Sequence, residues 1–285
     1  MATNSVFIGL VSHSKSFFSQ SQGPSGLSAQ LAQSFSDFGV SCQVRVNTGN
    51  LFDENALSLT PAMARASVRE ELRLESAWFR FLQRQDHLGQ CIRVLGRWVR
   101  YFSAWRSHSQ TTELRRLLNI EYSHVDLYRK GVESGCDWVI ILEDDAFSPD
   151  SQGLAKGLAH LINGPESPKY INLTTSFSLR EIGVQHLLST VPGVIWAGSG
   201  KVSVLQSERP GTNTVCAIAF AAEFLEQVLT DFDSQPVEPV VPIDWKLNAS
   251  LMRLWDQQLI GPGDCWFLEP GPITQLSMIQ ESTKK

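Results

Sequence analysis

The apolar positions of this chain follow two rhythms. Short runs of β-branched and aromatic residues alternate with stretches whose apolar side chains recur every three or four residues. "SVFIGLVSH" (Ser5–His13) reads as a strand, and a Ser/Gly/Pro-rich loop follows it. "LSAQLAQSFSDFG" sets Leu27, Leu31 and Phe35 at helical spacing with Gly39 as a stop, and "VSCQVRVN" is a second strand. Strand, helix and strand in this order predict a βαβ unit with a parallel pair.

Residues 60–118 break that rhythm. They hold no strand signal and read as helices, "AMARASVREELRLESAWFRFLQRQ" and "LGQCIRVLGRWVRYFSAWRS". On the second, Leu88, Ile92, Leu95, Val99 and Phe102 share one face, Cys91, Trp98 and Trp105 flank it, and Arg93, Arg97 and Arg100 lie opposite. After this stretch the alternation returns. "SHVDLYRKGVESG" is a helix, "DWVIILEDD" a strand, "SQGLAKGLAHLING" a helix, and "KYINLTTS", "GVIWAGSG" and "TVCAIAFAA" are strands. "EFLEQVLTDFD" and "WKLNASLMRLW" are helices around a proline-punctuated loop, and the tail is loop with a short strand, polar after Met278. The pattern predicts an α/β fold: a Rossmann-type, mostly parallel sheet flanked by helices, one domain over residues 1–285 with a helical insertion at 60–118.

Composition changes this picture little. The chain has 285 residues, 42% hydrophobic and 19% charged, as in ordinary globular proteins. A net charge of −5 argues against a nucleic-acid partner. No apolar run is long enough to span a bilayer, and the N-terminus lacks the basic region of a signal peptide, so a cytoplasmic protein is expected. The five cysteines are scattered without a C-x-x-C, which predicts buried free thiols rather than a zinc site or disulfides.

The chemistry gathers in "CDWVIILEDDAFSPD". Four apolar residues, Val139 to Leu142, run into Glu143, Asp144 and Asp145. Such a run fits a strand buried on both faces, and in open α/β sheets ligands bind beyond the strands' C-terminal ends. Adjacent carboxylates repel and raise one another's pKa, so a positive partner is expected. Carboxylate oxygens suit a hard divalent cation, and Mg²⁺ sites commonly share such carboxylates with substrate phosphates. Glu143 and Asp145 would project to one side of an extended strand and Asp144 to the other, which favours Asp145 as the metal ligand. Asp150 is placed to cap the helix that follows. "WAGSGK" (Trp196–Lys201) fails the phosphate-loop pattern, because Ile195 and Val202 stand where Gly and Ser/Thr are required.

"SHVDLYRKGVESGCDWVIILEDDAF" resembles a segment of family 25 glycosyltransferases, the lipooligosaccharide galactosyltransferase group, through Ser123, His124, Leu142, Glu143, Asp144, Asp145 and Ala146. There Ser-His opens a helix and the strand ends in Leu-Glu-Asp-Asp-Ala. More broadly the chain is similar to GT-A glycosyltransferases, which implies Mn²⁺ or Mg²⁺ held by Asp145 and Asp144 against a nucleotide-diphosphate sugar. The resemblance implies donor contacts at Val11, Ser12 and His13 after the first strand and at Asn47 and Thr48 after the second. It implies further donor contacts at Glu143, Asp144 and His124, and a loop near the sugar at Gly211, Thr212 and Asn213. His124 reads equally as an ordinary helix-start residue. Gln275 is a further polar candidate.

Asp244 begins a helix after the rigid "PVEPVVPI" and is the candidate base that deprotonates an acceptor hydroxyl, with Glu269 and Glu208 as alternatives; it is also well placed as a helix N-cap. The function this implies is transfer of a sugar from a nucleotide-sugar donor to a glycan or lipid-linked acceptor. The competing readings are a metal-dependent phosphohydrolase and a non-enzymatic membrane-associated adaptor. Between Trp78 and Arg106 six arginines (80, 84, 93, 97, 100 and 106) face one acid, Asp86. Either this stretch lies on an anionic membrane, at the inner face of the cell membrane, or it packs its apolar stripe on the sheet.

Overall fold

The computed structural model describes residues 4–12, 26–47, 58–83, 87–104, 109–174, 176–212, 214–235 and 239–277. In chain order the elements are β1 (Val6–Val11), α1 (Leu27–Asp37), β2 (Cys42–Asn47), α2 (Pro61–Phe81), α3 (His87–Ala104) and α4 (Ser109–Glu133). Then come β3 (Trp138–Glu143), β4 (Ala146–Phe147), α5 (Ser151–Ile162), β5 (Tyr170–Asn172), α6 (Leu179–Ile182), β6 (Leu188–Thr190) and β7 (Ser203–Ser207). The last are β8 (Ala217–Ala221), α7 (Ala222–Ser234), α8 (Ile243–Asp256), β9 (Cys265–Glu269) and β10 (Thr274–Gln275).

The central sheet runs β2-β1-β3-β8-β5-β9-β7-β6. Strands β2, β1 and β3 are mutually parallel; β8 opposes both β3 and β5, β9 is parallel to β5, and β7 opposes β9 and β6. Only β7 and β8 therefore run against the rest, and the predicted mostly parallel α/β sheet stands. Alternation along β3 shows why it sits mid-molecule. Val139 and Ile141 point into one core with α4, α7 and α8, whereas Trp138, Ile140 and Leu142 point into the other with α1 and α5.

Several expectations change. Ser123 and His124 do not open a helix; they lie within α4, which runs unbroken from Ser109 because no Gly or Pro interrupts that stretch. "GVIWAGSG" is irregular: its Gly residues punctuate a short apolar run, and Trp196 anchors it by packing on Gly157 of α5. Strands β4, β10 and β6 escaped detection because two- and three-residue strands carry almost no periodicity, and β7, five residues long, was missed as well. The apolar stripe of α3 is not packed on the sheet: Leu88, Ile92, Leu95 and Val99 are exposed, and α3 meets α2 through Val94 and Trp98. The cysteines are all free, but Cys91 is exposed and Cys42 half-buried, so only Cys136, Cys216 and Cys265 behave as core thiols. Among the described residues no helix is long and apolar enough to cross a membrane. His13, Thr48, Arg84, Asp86, Trp105, Arg106 and Asn213 lie outside the described residues, as do the side chains of Arg93, Arg97, Arg100 and Phe102.

Close contact between α4 and β3 depends on Gly131, where a Cβ would stand 2.6 Å from Val139 Cγ1. Gly131→Ala is expected to cost about 1–3 kcal/mol through overpacking, read as a lower denaturant midpoint with unchanged m. An unaltered midpoint would mean that the helix yields without cost.

Candidate active site

The strand registers assemble the site. Val11 of β1 pairs with Asn47 of β2 on one side and with Glu143 of β3 on the other, so three parallel strands end together. Beyond them opens a cleft of about 720 Å³, bordered by Val11, Ser12, Glu143, Asp144 and Asp145, by one face of α4, and by Gln275 and Ser277. Asp144 and Asp145 lie in the turn between β3 and β4 rather than in the strand. The turn still sends them apart. Asp144 accepts a hydrogen bond from Ser12 Oγ at 3.3 Å, while Asp145 is buried beside Glu143.

Glu143, Asp145 and Cys216 each bring a ligand atom within 4.8 Å of the others. Burial is the main cause that raises the Asp145 carboxyl above its ordinary range; Glu143 and Asp144 add to it, and hydrogen bonds from Ser277 and Gln275 oppose it. The backbone carbonyl of Asp145 accepts from Leu276 N at 2.9 Å, and Ser277 Oγ donates to its carboxylate, so the C-terminal segment folds over the turn. The Cys216 thiol lies 3.7 Å from Asp145 Oδ1. Burial first, then the carboxylates, push its pKa well up, which keeps it protonated and a donor to Asp145. A soft thiol does not suit Mg²⁺ or Mn²⁺, whereas the two carboxylates do. The donor set therefore fits a hard cation held between Glu143 and Asp145. The resemblance to GT-A enzymes pairs Asp145 with Asp144, whereas strand alternation already puts Glu143 and Asp145 on one side.

His124 is fully buried, with Nε2 3.2 Å from Glu143 Oε1, and its ring meets Tyr128 edge-on at 5.8 Å. It fixes the Glu143 side chain from beneath and does not border the cleft. Nδ1 of His124 and the Tyr128 hydroxyl are buried without a hydrogen-bond partner. Asn47 also turns away from the cleft: its amide donates to the Ser123 carbonyl at 3.1 Å and to Asp126 at 2.9 Å, tying β2 to α4.

Gly211 and Thr212 do not border the cleft either. Trp78 packs so tightly on Gly211 that a Cβ there would stand 2.6 Å from the ring. The Gly211 carbonyl accepts from Asn172, and Thr212 N donates to Asn248, so this loop anchors the core. Asp150 does cap α5, accepting from Gly153 N at 2.9 Å, and that bond first, then Ser199, holds its carboxyl below the usual range.

Asp244 is not the N-cap of α8. Pro242 holds that position and Asp244 lies in the first turn, because the helix starts two residues earlier than the polar pattern indicates. Burial pushes the Asp244 carboxyl up to about 6, with Glu143 and the buried Glu71 of α2 adding to the effect. It does not border the cleft, yet the field of Glu143 reaches it. Of the alternatives, Glu208 is exposed beside the edge strands, and Glu269 ends β9 with a buried, unpartnered carboxylate oxygen.

No protein-family model matches this chain, and no curated protein matches it. The residues missed by sequence reasoning are Thr112, Arg115, Arg116 and Asn119 of α4, together with Ser277; all border the cleft. Their one signal was the helical spacing of 112, 115/116 and 119 upstream of Ser123.

Proposed function

We propose that this protein is a metal-dependent glycosyltransferase that takes a nucleotide-diphosphate sugar. The observation that carries the reading is the alignment of three parallel strand ends on a cleft holding Glu143, Asp144 and Asp145. That is where an α/β sheet binds its ligand. Mn²⁺ or Mg²⁺ bound by Glu143 and Asp145 would neutralise negative charge on a departing diphosphate. His124 holds Glu143 in place, and Ser277 and Gln275 hold Asp145. Ser12 and Val11 border the space for the nucleoside.

In the transfer step an acceptor hydroxyl oxygen bonds to the anomeric carbon as the bond from that carbon to the diphosphate oxygen breaks. Asp244 does not border the cleft, so it would take the hydroxyl proton through one relaying water. A carboxyl whose pKa is about 6 is better matched to that task than an ordinary one. The in-line geometry inverts the anomeric centre.

Thermal-shift titration with UDP-, GDP- and dTDP-sugars, each with and without Mn²⁺, tests the reading. At least one donor is expected to stabilise the protein, and to do so only with metal. No stabilisation by any of them would overturn it.

The acceptor in this reading is a glycan or a lipid-linked saccharide, met in the cytoplasm at the inner face of the membrane. The bare stripe of α3 (Leu88, Ile92, Leu95 and Val99), on a helix that also carries Arg93, Arg97 and Arg100, suits an anionic lipid surface. Co-sedimentation with phosphatidylglycerol vesicles is expected, and Ile92→Asp with Leu95→Asp should abolish it without unfolding an exposed face. Equal pelleting of wild type and the double variant would remove the membrane from the reading.

A further inference from the structure

Besides the carboxylates, the cleft is bordered by a single face of α4. Thr112, Arg115, Arg116 and Asn119 fall at helical spacing on that face and border the same cleft as Glu143 and Asp145. The helix is fixed there from below. His124, two turns further on, bonds to Glu143, and Lys246 of α8 pairs with Glu121 at 2.6 Å. The two arginines are therefore held over the acidic turn by contacts they do not make themselves. Arg116 also pairs with Glu113 at 3.2 Å, but the two side chains are 67% and 50% exposed, so the pair is screened and readily exchanged for a ligand.

A cleft bordered by guanidinium groups and by a cation-binding carboxylate pair carries both signs of charge. One kind of ligand satisfies both: a diphosphate, whose oxygens can coordinate a divalent cation and accept paired N–H bonds from arginine together. A neutral sugar would leave both sets of charges unsatisfied.

We infer that Arg115 and Arg116 form a diphosphate-binding wall, which clamps the pyrophosphate of the ligand against the cation at Glu143 and Asp145, with Thr112 and Asn119 as flanking hydrogen-bonding groups. This rests on the glycosyltransferase reading for the identity of the attached groups, but the wall itself requires only the diphosphate. It assigns a binding role to the helical insertion, whose last helix reaches back over the strand ends.

The test uses Mg²⁺–pyrophosphate as the probe, by thermal shift and calorimetric titration. Wild type should bind it. The double variant Arg115→Gln/Arg116→Gln should lose about tenfold or more in affinity while keeping the apo melting temperature, because both side chains are exposed. Arg129→Gln is the control for loss of a positive charge elsewhere: Arg129 pairs with Asp233 away from the cleft, and its variant should bind as wild type does. The wall is overturned if wild type does not bind the probe, if the double variant binds it equally well, or if the control loses as much as the double variant. The two readings fail separately. Arginine-dependent pyrophosphate binding with no response to any nucleotide sugar would retain the wall and discard the glycosyltransferase.

Discussion

Asp244→Asn is expected to fold, to bind donor, and to lose at least about a hundredfold in transfer rate. The same substitution should make the protein more stable at neutral pH. In the folded chain burial and the fields of Glu143 and Glu71 push the Asp244 pKa up to about 6, against an ordinary value of 3.8. Between those two pH values the folded state holds a proton that the unfolded state has released. Stability therefore falls as pH rises through that window and stays reduced above it. Two units correspond to about 3 kcal/mol at most, and contact with solvent lowers that ceiling. Asparagine carries no charge to desolvate, so from pH 4 to 6 the variant should decline less steeply than the wild type by the Asp244 share. The rate profile gives an independent readout. Wild type should show an acidic limb near pH 6 that the variant lacks. Near-normal turnover by Asp244→Asn would leave Asp244 a structural residue, and Glu269 would become the candidate base.

Asp145→Asn is expected to abolish metal-dependent donor binding and to leave the apo protein as stable as wild type or more so. Asp145 is buried, its carboxyl is raised chiefly by that burial, and Glu143 and Asp144 repel it further. Removing one of these charges relieves repulsion. The amide oxygen can still accept from Ser277, so the turn keeps its closure. Without the charge, a cation at Glu143 loses its second anionic ligand. Calorimetric titration of Mn²⁺ and thermal shift with donor read the two halves of the expectation. A large drop in apo melting temperature with donor affinity unchanged would make Asp145 a structural residue.

Much of the frame was readable from local pattern. A continuous apolar run marked β3 as a central strand, and the carboxylates at its end marked the ligand edge. Helical spacing and the scarcity of Gly and Pro marked the insertion. What escaped was everything set by long-range packing. Ser123 and His124 read as a helix start because Ser commonly caps helices, yet here the helix continues through both. Asn47 and Thr212 read as loop polar residues, although tertiary contacts use them to tie α4 and α8 in place. The arginine wall of α4 and the closure by Ser277 needed three-dimensional proximity between distant segments. Sequence separation alone hid them.

The closure over Asp145 carries a consequence for biosynthesis. Val11 and Ser12 come from the start of the chain, and Leu276 and Ser277 from beyond β9, yet they meet at one turn. A ribosome-bound chain can fold its first βαβ unit early, but the acidic turn stays without its cover until residues 276 and 277 leave the exit tunnel. A protease that removes the segment after β9 would therefore strip the acidic turn of the Leu276 and Ser277 hydrogen bonds.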